Sequence, residues 1–411
     1  AQTSRLTFGA TAGANFNAST SAAFQQATTL QSLTLNSGGG VAFLGGNLST
    51  NNSPSGQMFG LSGALNTLTV TSGGVLANGG NAGLNGGTLT AAANPLHFHV
   101  LGAATALTMG TTALGSGGIV KSGDGTMTLT RASYNTGATS VNNGTLKLGA
   151  GLASNPLLVI PTATVPTVAD LNVNAGTFDL NGNTQAVRNL TQGTLNVYAY
   201  GAGTVTNTST SAATFITSPN AATTFSGAIS GGDINLEKQG SSNLTLVTPA
   251  NLGSGSFTVR GGAVILRDSA AITTTGAVSV PFGQITLDNS GLSRVAGSRI
   301  VAGALSVTGG TISVQSSALS DSLTLGALTI NGGANVINNT IFSGNSVAGS
   351  SSVLTFPSLT RGSAVQSTVN FTSSGGSLGG PVGGVVNASN TQVLNGGANP
   401  QIVFTSAPAN T

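Results

Sequence analysis

The chain contains a unit of three short strand-like segments that occurs twice. In the first copy, residues 117–149, two of the segments carry an apolar residue at every second position, with Thr or Lys between them. Alternation with period two predicts β-strands with one face inward and one outward. Gly, Asn and Asp separate the segments, and these residues tolerate the positive φ angles of tight turns. The unit therefore predicts strand, corner, strand, corner and strand, without a helix.

The second copy, residues 231–266, keeps the same residue types at matching positions. The aligned pairs, the last three after a slip of one residue, are Lys121 with Lys238, Gly123 with Gly240, Met127 with Leu244, Leu129 with Leu246, Val141 with Val259, Leu146 with Val264, and Leu148 with Leu266. A unit this short cannot bury its apolar face alone and must stack on neighbours. We therefore predict an all-β fold, a single-stranded parallel β-helix (β-solenoid).

The rest of the chain repeats the pattern more loosely, with apolar alternation interrupted by Gly. Clear examples are residues 30–35, 65–70, 171–180 and 305–314, and Asn78 to Gly87 is interpreted as an insertion. At ~20–30 residues per coil the chain would make roughly 14–20 irregular coils. Stacked at ~4.8 Å, these form a rod on the order of 70–100 Å long. We expect one continuous solenoid over residues 1–411, with a candidate interruption at residues 156–166, where three Pro weaken any central strand.

Composition leaves two alternatives to this fold. The 62 Gly, together with many Ser, Asn and Thr, make the chain low in complexity, and such chains can be disordered. Disorder usually comes with high net charge, however, and here the net charge is +3 while 39% of the residues are hydrophobic and regularly spaced. An array of immunoglobulin-like sandwiches would have a longer repeat and a buried Trp or Tyr anchor, and the chain has no Trp. An ordered solenoid is therefore preferred.

Two further motifs accompany the repeated unit. Residues 225–231 read FSGAISG, and residues 133–139 read SYNTGAT. Together with the Lys-x-Gly that begins at Lys121 and again at Lys238, they resemble the autotransporter-associated β-strand repeat of bacterial passenger domains. The resemblance covers the two units and little else. It implies a β-helix in a secreted bacterial protein, located outside the cell or on its surface.

Several functional classes are disfavoured by the sequence. No Cys is present, so disulfides and thiolate metal sites are excluded. No apolar stretch of about 18 residues occurs, so we expect no membrane insertion by a helix. The 11 Lys and Arg are dispersed and only three Tyr are present, which argues against nucleic acid as a partner. The Ala1-Gln2-Thr3 start is interpreted as a mature N-terminus after cleavage of a leader.

Few residues could carry chemistry. His97 and His99 share one face of a strand but have no third ligand nearby, so we expect a surface pair and no metal site. Residues 375–379 spell G-x-S-x-G, yet neither His nor acidic residues follow them, so a catalytic nucleophile is rejected. Asp233 and Glu237 would lie ~13 Å apart along a strand, too far for a glycosidase pair. Lys121 and Lys238 are interpreted as surface lysines that extend to solvent.

We therefore expect a protein that is not an enzyme, has no cofactor, and acts as a structural rod or self-assembling fibre element. Low charge weakens repulsion between copies, and an uncapped solenoid end exposes a sheet edge that can pair with another copy. The expected partner is thus the chain itself, through head-to-tail or lateral contacts. The candidate assembly edges are Leu6, Phe8, Ile402 and Phe404.

Two other functions remain as alternatives. An adhesin would bind a glycan or a neighbouring cell surface, and Tyr198 and Tyr200, which share one face, are the weak candidate ligand patch. A polysaccharide-active β-helix enzyme would need a cluster of acids in one groove. Eight acidic residues in the whole chain make such a cluster improbable.

Overall fold

The structure is a computed structural model. It describes residues 14–16, 28–36, 57–61, 67–152, 156–157, 168–192, 203–291, 298–316, 321–341, 352–362, 366–372, 392–393 and 401–404. Within these residues the fold is all-β, with 38 strands and no helix, and accordingly no described helix could cross a membrane. The chain divides into two compact units, residues 1–209 and 210–411, and each unit is described by itself.

The first unit has 17 short strands among its described residues. They are β1 (Ala14–Phe16), β2 (Thr28–Asn36), β3 (Gln57–Leu61), β4 (Thr67–Asn78), β5 (Asn81–Thr90), β6 (Leu96–Leu101), β7 (Ala106–Gly115), β8 (Ile119–Ser122), β9 (Thr126–Leu129), β10 (Tyr134–Asn135), β11 (Thr139–Val141), β12 (Thr145–Leu148), β13 (Leu171–Val173), β14 (Thr177–Asp179), β15 (Thr184–Val187), β16 (Leu190–Thr191) and β17 (Thr204–Thr206).

These strands stack in parallel ladders in which sequence order is also spatial order. Ladder A runs β1-β2-β4-β6-β8-β11-β13-β16. Ladder B runs β3-β5-β7-β9-β12-β14-β17. The long strands β4, β5 and β7 also pair with one another beyond a bend. Together with β10 they form a third ladder, ladder C. The chain thus visits each ladder in turn and returns to it one layer further on.

The second unit has 21 strands among its described residues. They are β18 (Ala213–Thr217), β19 (Thr223–Phe225), β20 (Ala228–Ile229), β21 (Ile234–Lys238), β22 (Leu244–Leu246), β23 (Ala250–Asn251), β24 (Phe257–Val259), β25 (Ala263–Leu266), β26 (Ile272–Thr273), β27 (Ala277–Pro281), β28 (Gln284–Asn289), β29 (Ile300–Val301), β30 (Ala304–Thr308), β31 (Thr311–Ser316), β32 (Asp321–Thr324), β33 (Leu328–Ile341), β34 (Ser352–Phe356), β35 (Leu359–Arg361), β36 (Ser367–Thr372), β37 (Gln392–Val393) and β38 (Gln401–Phe404).

Three parallel ladders are again built in sequence order, and a separate four-stranded sheet has the order β32-β34-β38-β37. Ladder D runs β18-β21-β24-β27-β30-β33-β35. Ladder E runs β19-β22-β25-β28-β31-β33-β36. Ladder F runs β20-β23-β26-β29. Hydrogen bonds between successive layers join residues 21 apart in the most regular part, as from Ser256 N to Asn235 Oδ1. A corner separates each strand of ladder D from the following strand of ladder E.

Aliphatic columns fill the space inside the ladders. In ladder E, Leu244, Val264, Ile285, Ile312 and Ile337 are in register in successive strands, and all are fully buried. Burial of such a side chain stabilises a fold by about 1.5–3 kcal/mol. The positions between them carry polar residues such as Thr245, Thr286 and Ser313, of which Thr286 and Ser313 are only 4% exposed. The predicted alternation of apolar and polar residues is therefore confirmed in these strands, but the polar positions of β28 and β31 are not all exposed.

Two predictions about local structure are wrong. Asn78 to Gly87 was expected to be an insertion, but most of it belongs to β5, which pairs with β3 and with β7, the latter with a register shift between Asn85 and Thr88. Gly was expected to separate the strand segments, yet β4 continues through Gly73 and Gly74 and β33 continues through Gly332 and Gly333. Positive φ at Gly73 and Gly333 bends these strands from one ladder into the next, and the pairing shifts register at both bends.

Candidate functional site

Lys121 and Lys238 are buried, so their interpretation as surface lysines is wrong. Both side chains are 0% exposed. Lys121 lies at an inward position of ladder A, in register with Phe98 and Val141, and Lys238 lies in register with Val259 of ladder D. The aliphatic stem of each lysine thus continues an apolar column.

Each lysine ammonium ties two successive corners together. Lys238 Nζ donates to the carbonyl oxygens of Gln239 (2.7 Å) and Gly240 (3.1 Å) in its own corner and of Gly261 (2.9 Å) in the next. Lys121 Nζ donates to the equivalent carbonyl oxygens of Ser122 (3.0 Å), Gly123 (2.7 Å) and Asn143 (3.0 Å). A lysine ammonium has three N–H donors, so every donor is used.

The Lys-x-Gly motif follows from this geometry. Gly123 has φ +76° and Gly240 has φ +73°, a left-handed conformation that glycine adopts without strain. A Cβ at Gly123 would lie 2.3 Å from the Val100 carbonyl oxygen. Burial lowers the pKa of Lys121 and of Lys238 to about 8, and Asp124 partly counteracts the effect at Lys121. The motif is therefore a built corner with a buried cation.

Arg299 makes a similar buried contact in the second unit. Its guanidinium is 0% exposed. It donates to the Asn289 side chain through Nε (2.6 Å) and to the Ala270 carbonyl through Nη1 (2.7 Å). Nη2 donates to the carbonyls of Asp268 (3.0 Å) and Asp288 (2.9 Å). Burial lowers its pKa, and nearby Asp carboxylates act in the opposite direction.

Asn335 does the same task without a charge. Its amide nitrogen lies within hydrogen-bond distance of the carbonyl oxygens of Gly332 (2.9 Å), Gly333 (3.0 Å) and Thr368 (2.9 Å). Its amide oxygen accepts from Gly309 N at 2.7 Å. The side chain is 1% exposed. It therefore joins three successive layers at the corner between ladders D and E.

An open cleft of about 480 Å³ lies on the outer side of ladder E. Its lining residues are Asn243, Gly262, Ala263, Ile265, Phe282, Gly283, Gln284, Thr286, Asp288, Gly309, Thr311 and Gln315. Its floor is the outward face of β25, β28 and β31, and its end wall is the corner that contains Phe282. Ligand sites are typically concavities of about 300–1,000 Å³ with a few convergent polar groups.

Phe282 stands out in this wall. Its ring is 75% exposed, and its backbone has φ +64°, a conformation that is unfavourable for an aromatic residue. In the next layer the equivalent residue is Gly309, with φ +68°. A Cβ on Gly309 would lie 3.1 Å from two ring carbons of Phe282, so the ring stands against this glycine. The backbone of Phe282 is thus strained, and burial of its ring does not offset that strain.

Polar side chains follow the cleft away from the ring. Gln284 Nε2 donates to Thr286 Oγ1 at 2.8 Å. Asp288 Oδ1 accepts from Ser290 N (2.9 Å) and Oγ (2.6 Å), and its other oxygen has no donor among the described residues. The Gln315 side chain likewise has no hydrogen bond recorded within the described part of the chain. Asp288 is the single ionisable residue in the lining.

The histidines lie at the surface, as predicted. His97 and His99 are exposed on the outer face of β6, and Phe98 between them is fully buried. His99 Nδ1 is 2.7 Å from Ser122 Oγ. No group of three or more His, Cys, Asp or Glu that could hold a metal occurs among the residues that the structure describes.

Asp233 and Glu237 do not form a pair. Asp233 accepts from Ser254 N at 2.7 Å, which lowers its pKa. Glu237 accepts from Arg260 Nε at 2.7 Å and forms an ion pair with it. The two carboxylates therefore have separate partners.

The remaining candidate residues lie either in β38 or outside the residues that the structure describes. Leu6, Phe8, Tyr198, Tyr200 and residues 375–379 fall outside the described residues. Ile402 and Phe404 belong to β38, which pairs in parallel with β34 on one side and antiparallel with the two-residue β37 on the other. Pairing on both sides leaves little of β38 free as an edge for another copy. Its role in assembly stays a prediction.

Comparison with protein family models, with curated proteins and with solved structures finds no match. The resemblance to the autotransporter-associated repeat therefore depends on the motifs alone.

Sequence reasoning missed the cleft and the buried cations. The alternation along the strands could have predicted that the lysines are buried. Lys121 is two residues after buried Ile119, and Lys238 is two residues after buried Leu236. Phe282 could have been noticed by comparing two corners. The corner after β30 has the sequence Gly309-Gly310, whereas the corner after β27 has Phe282-Gly283, with phenylalanine in the place of the first glycine. The polar lining had no such signal, because Gln and Thr are common in outward positions.

Proposed function

We propose that the chain is a non-catalytic extracellular structural protein, a β-solenoid rod of the passenger type. The observation that carries this proposal is the strand order from β18 to β29, where the chain passes through ladders D, E and F in that order four times. A chain that returns to each ladder one layer further on winds as a solenoid. The motifs at residues 117–149 and 231–266 support a place outside a bacterial cell.

The corners support a mechanical role. Lys121, Lys238 and Asn335 each connect carbonyl groups of successive layers. Charge-assisted hydrogen bonds are about twice as strong as neutral ones. Such contacts join layers at the turns, where strand pairing is absent, and therefore favour a rod that resists fraying. One continuous solenoid over residues 1–411 is part of this proposal.

Self-association is the proposed mode of action. Only 5% of the residues are charged and the net charge is +3, so repulsion between copies is weak. Unpaired edges at the ends of a solenoid can pair with another copy. Negative-stain electron microscopy of the purified chain at two protein concentrations tests this proposal. Fibres that lengthen with concentration are expected, isolated rods would exclude self-assembly, and compact globules would exclude the solenoid.

An adhesin is the second candidate, and the cleft beside Phe282 favours it. The cleft offers a ring, amides and hydroxyls at the surface, as a glycan site requires. Hydrolysis is not part of the proposal, because glycosidases canonically use two carboxylates, and Asp288 is the single acid in this lining.

A further inference from the structure

We propose that the cleft between Phe282 and Gln315 binds a neutral oligosaccharide chain. The ring of Phe282 is 75% exposed and its backbone is held at φ +64°. Strained conformations of this kind persist at ligand-binding positions and lead from the outlier to a hypothesis of function. Burial does not explain the strain here, since the ring faces solvent. A contact with a ligand does.

The chemistry of the ring selects the kind of ligand. The face of an aromatic ring is negative and attracts polarised C–H groups such as those on the flat side of a pyranose. Ala263 and Ile265 also line the cleft, in register with Gln284 and Thr286, and add apolar surface to it. A sugar ring that lies on Phe282 would therefore bury its apolar side and leave its hydroxyl groups free for the polar residues.

The hydrogen-bonding groups lie along the strands. Gln284 and Asp288 are half-buried residues of one strand and lie ~13 Å apart, with Thr286, which is only 4% exposed, between them. Gln315 is in register with Asp288 on the next strand. The Gln315 amide and the second Asp288 oxygen have no hydrogen-bond partner among the described residues, so both are available to hydroxyl groups. The cleft therefore fits a chain of several sugars better than a single one.

Charge excludes the main competing ligands. The lining contains one carboxylate and no cation, so uronates and sulfated sugars would meet repulsion without a partner. A small organic cation would need the ring and the carboxylate to converge. Asp288 lies ~13 Å along β28 from Gln284, and Phe282 lies in the corner before that strand, so the ring and the carboxylate do not converge on one small group. The ligand class is thus an extended, uncharged polyol chain.

A glycan array with the full chain tests this inference, using neutral gluco-, xylo-, manno- and chito-oligosaccharides of four to six units and anionic oligogalacturonate and heparin fragments. Binding to at least one neutral series and not to the anionic ones is expected. Titration calorimetry with the bound sugar should then give at least a tenfold weaker affinity for Phe282→Gly and a three- to tenfold weaker affinity for Gln315→Leu.

Two controls make the outcome decisive. Val301→Ser removes another exposed apolar side chain, from ladder F, and should leave the affinity unchanged. Absence of binding to every neutral sugar, or equal affinity of the parent and Phe282→Gly, would overturn the inference. So would a Phe282→Gly variant that loses self-association in sedimentation while its sugar binding is intact. Rods in electron micrographs would persist in each case, so the inference and the proposed structural function can fail separately.

Discussion

The Lys238 corner and the Phe282 corner lie in the same column between ladders D and E, two layers apart, but they are built in opposite ways. At the first corner the side chain is buried, its three donors are used, and glycine takes the left-handed position. At the second corner phenylalanine takes the left-handed position and its ring remains exposed. One corner is satisfied internally, whereas the other retains strain.

The difference separates stability from recognition. Buried donors that meet turn carbonyls hold adjacent layers together, and a neutral amide at Asn335 does this as fully as a lysine does. A strained, exposed ring does not contribute in this way. We therefore expect substitutions at the Lys238 and Asn335 corners to change stability, and substitutions at Phe282 to change binding.

Asn335→Asp should have the largest effect. The new carboxylate oxygen would face the carbonyls of Gly332, Gly333 and Thr368 in a buried site, without a donor between them. We expect the free energy of unfolding to fall by about 3 kcal/mol or more at pH 7, as for a buried unpaired group. Urea unfolding followed by circular dichroism measures the loss.

The matched control for this change is Asn338→Asp on the same strand. The Asn338 amide oxygen accepts from Thr340 and Thr372, and its side chain is half-buried, so a carboxylate keeps these contacts. A loss within about 1 kcal/mol is expected, since the site is partly solvated. Equal losses for the two variants would contradict the account of the Asn335 corner.

Lys238→Met should have the next largest effect. Methionine keeps an apolar stem in the column but leaves three carbonyls without donors, which costs about 1–3 kcal/mol. Lys121→Met should match it, because the contacts are the same. Arg260→Met removes an exposed cation from the corner in the next layer, where the ion pair with Glu237 is worth about 0–1 kcal/mol. A smaller effect for Lys238→Met than for Arg260→Met would show that the buried contacts are not important.

The stabilising effect of Lys238 should also depend on pH. Burial lowers its pKa to about 8 from the ordinary 10.5, so between these values the unfolded chain binds more protons than the folded one. Unfolding free energy should therefore rise with pH from about 8 to about 10.5, by at most about 1.4 kcal/mol per pH unit for this one group. The difference between the parent and Lys238→Met in urea midpoints across this range isolates it. If this difference falls with pH instead, the three carbonyl oxygens keep the Lys238 ammonium protonated and its pKa is not lowered.

The sequence predicted the strands well because the apolar alternation is a local signal. It placed the inward Leu, Val and Ile residues of β9, β22 and β31 correctly. The prediction was wrong at Lys121 and Lys238. Both lysines occupy inward positions in the alternation of their strands, but their charge was taken as a reason to place them at the surface. A charged residue at an inward position is tolerated only if nearby carbonyls accept its donors, and that condition arises from contacts between residues 22 or 23 apart.

The cleft could not be predicted for a related reason. Its residues come from several layers, and register alone brings Gln315 beside Asp288. Strand spacing in sequence varies, with contacts between layers at 21, 23, 28 and 32 residues. Sequence pattern therefore identifies which residues face outward but not which outward residues become neighbours.

Phe282→Gly should have the smallest effect on stability. Glycine removes the strain of a left-handed backbone, about 1–3 kcal/mol, but it adds entropy to the unfolded chain, about 1 kcal/mol. The ring gives up little burial because it is 75% exposed. The parent and the variant should therefore agree within about 1 kcal/mol in urea unfolding, while Phe282→Leu, which keeps the strain, should not be more stable than the parent. A loss of about 2 kcal/mol or more in Phe282→Gly would mean that the ring supports the corner, and the contrast with Lys238 would then disappear.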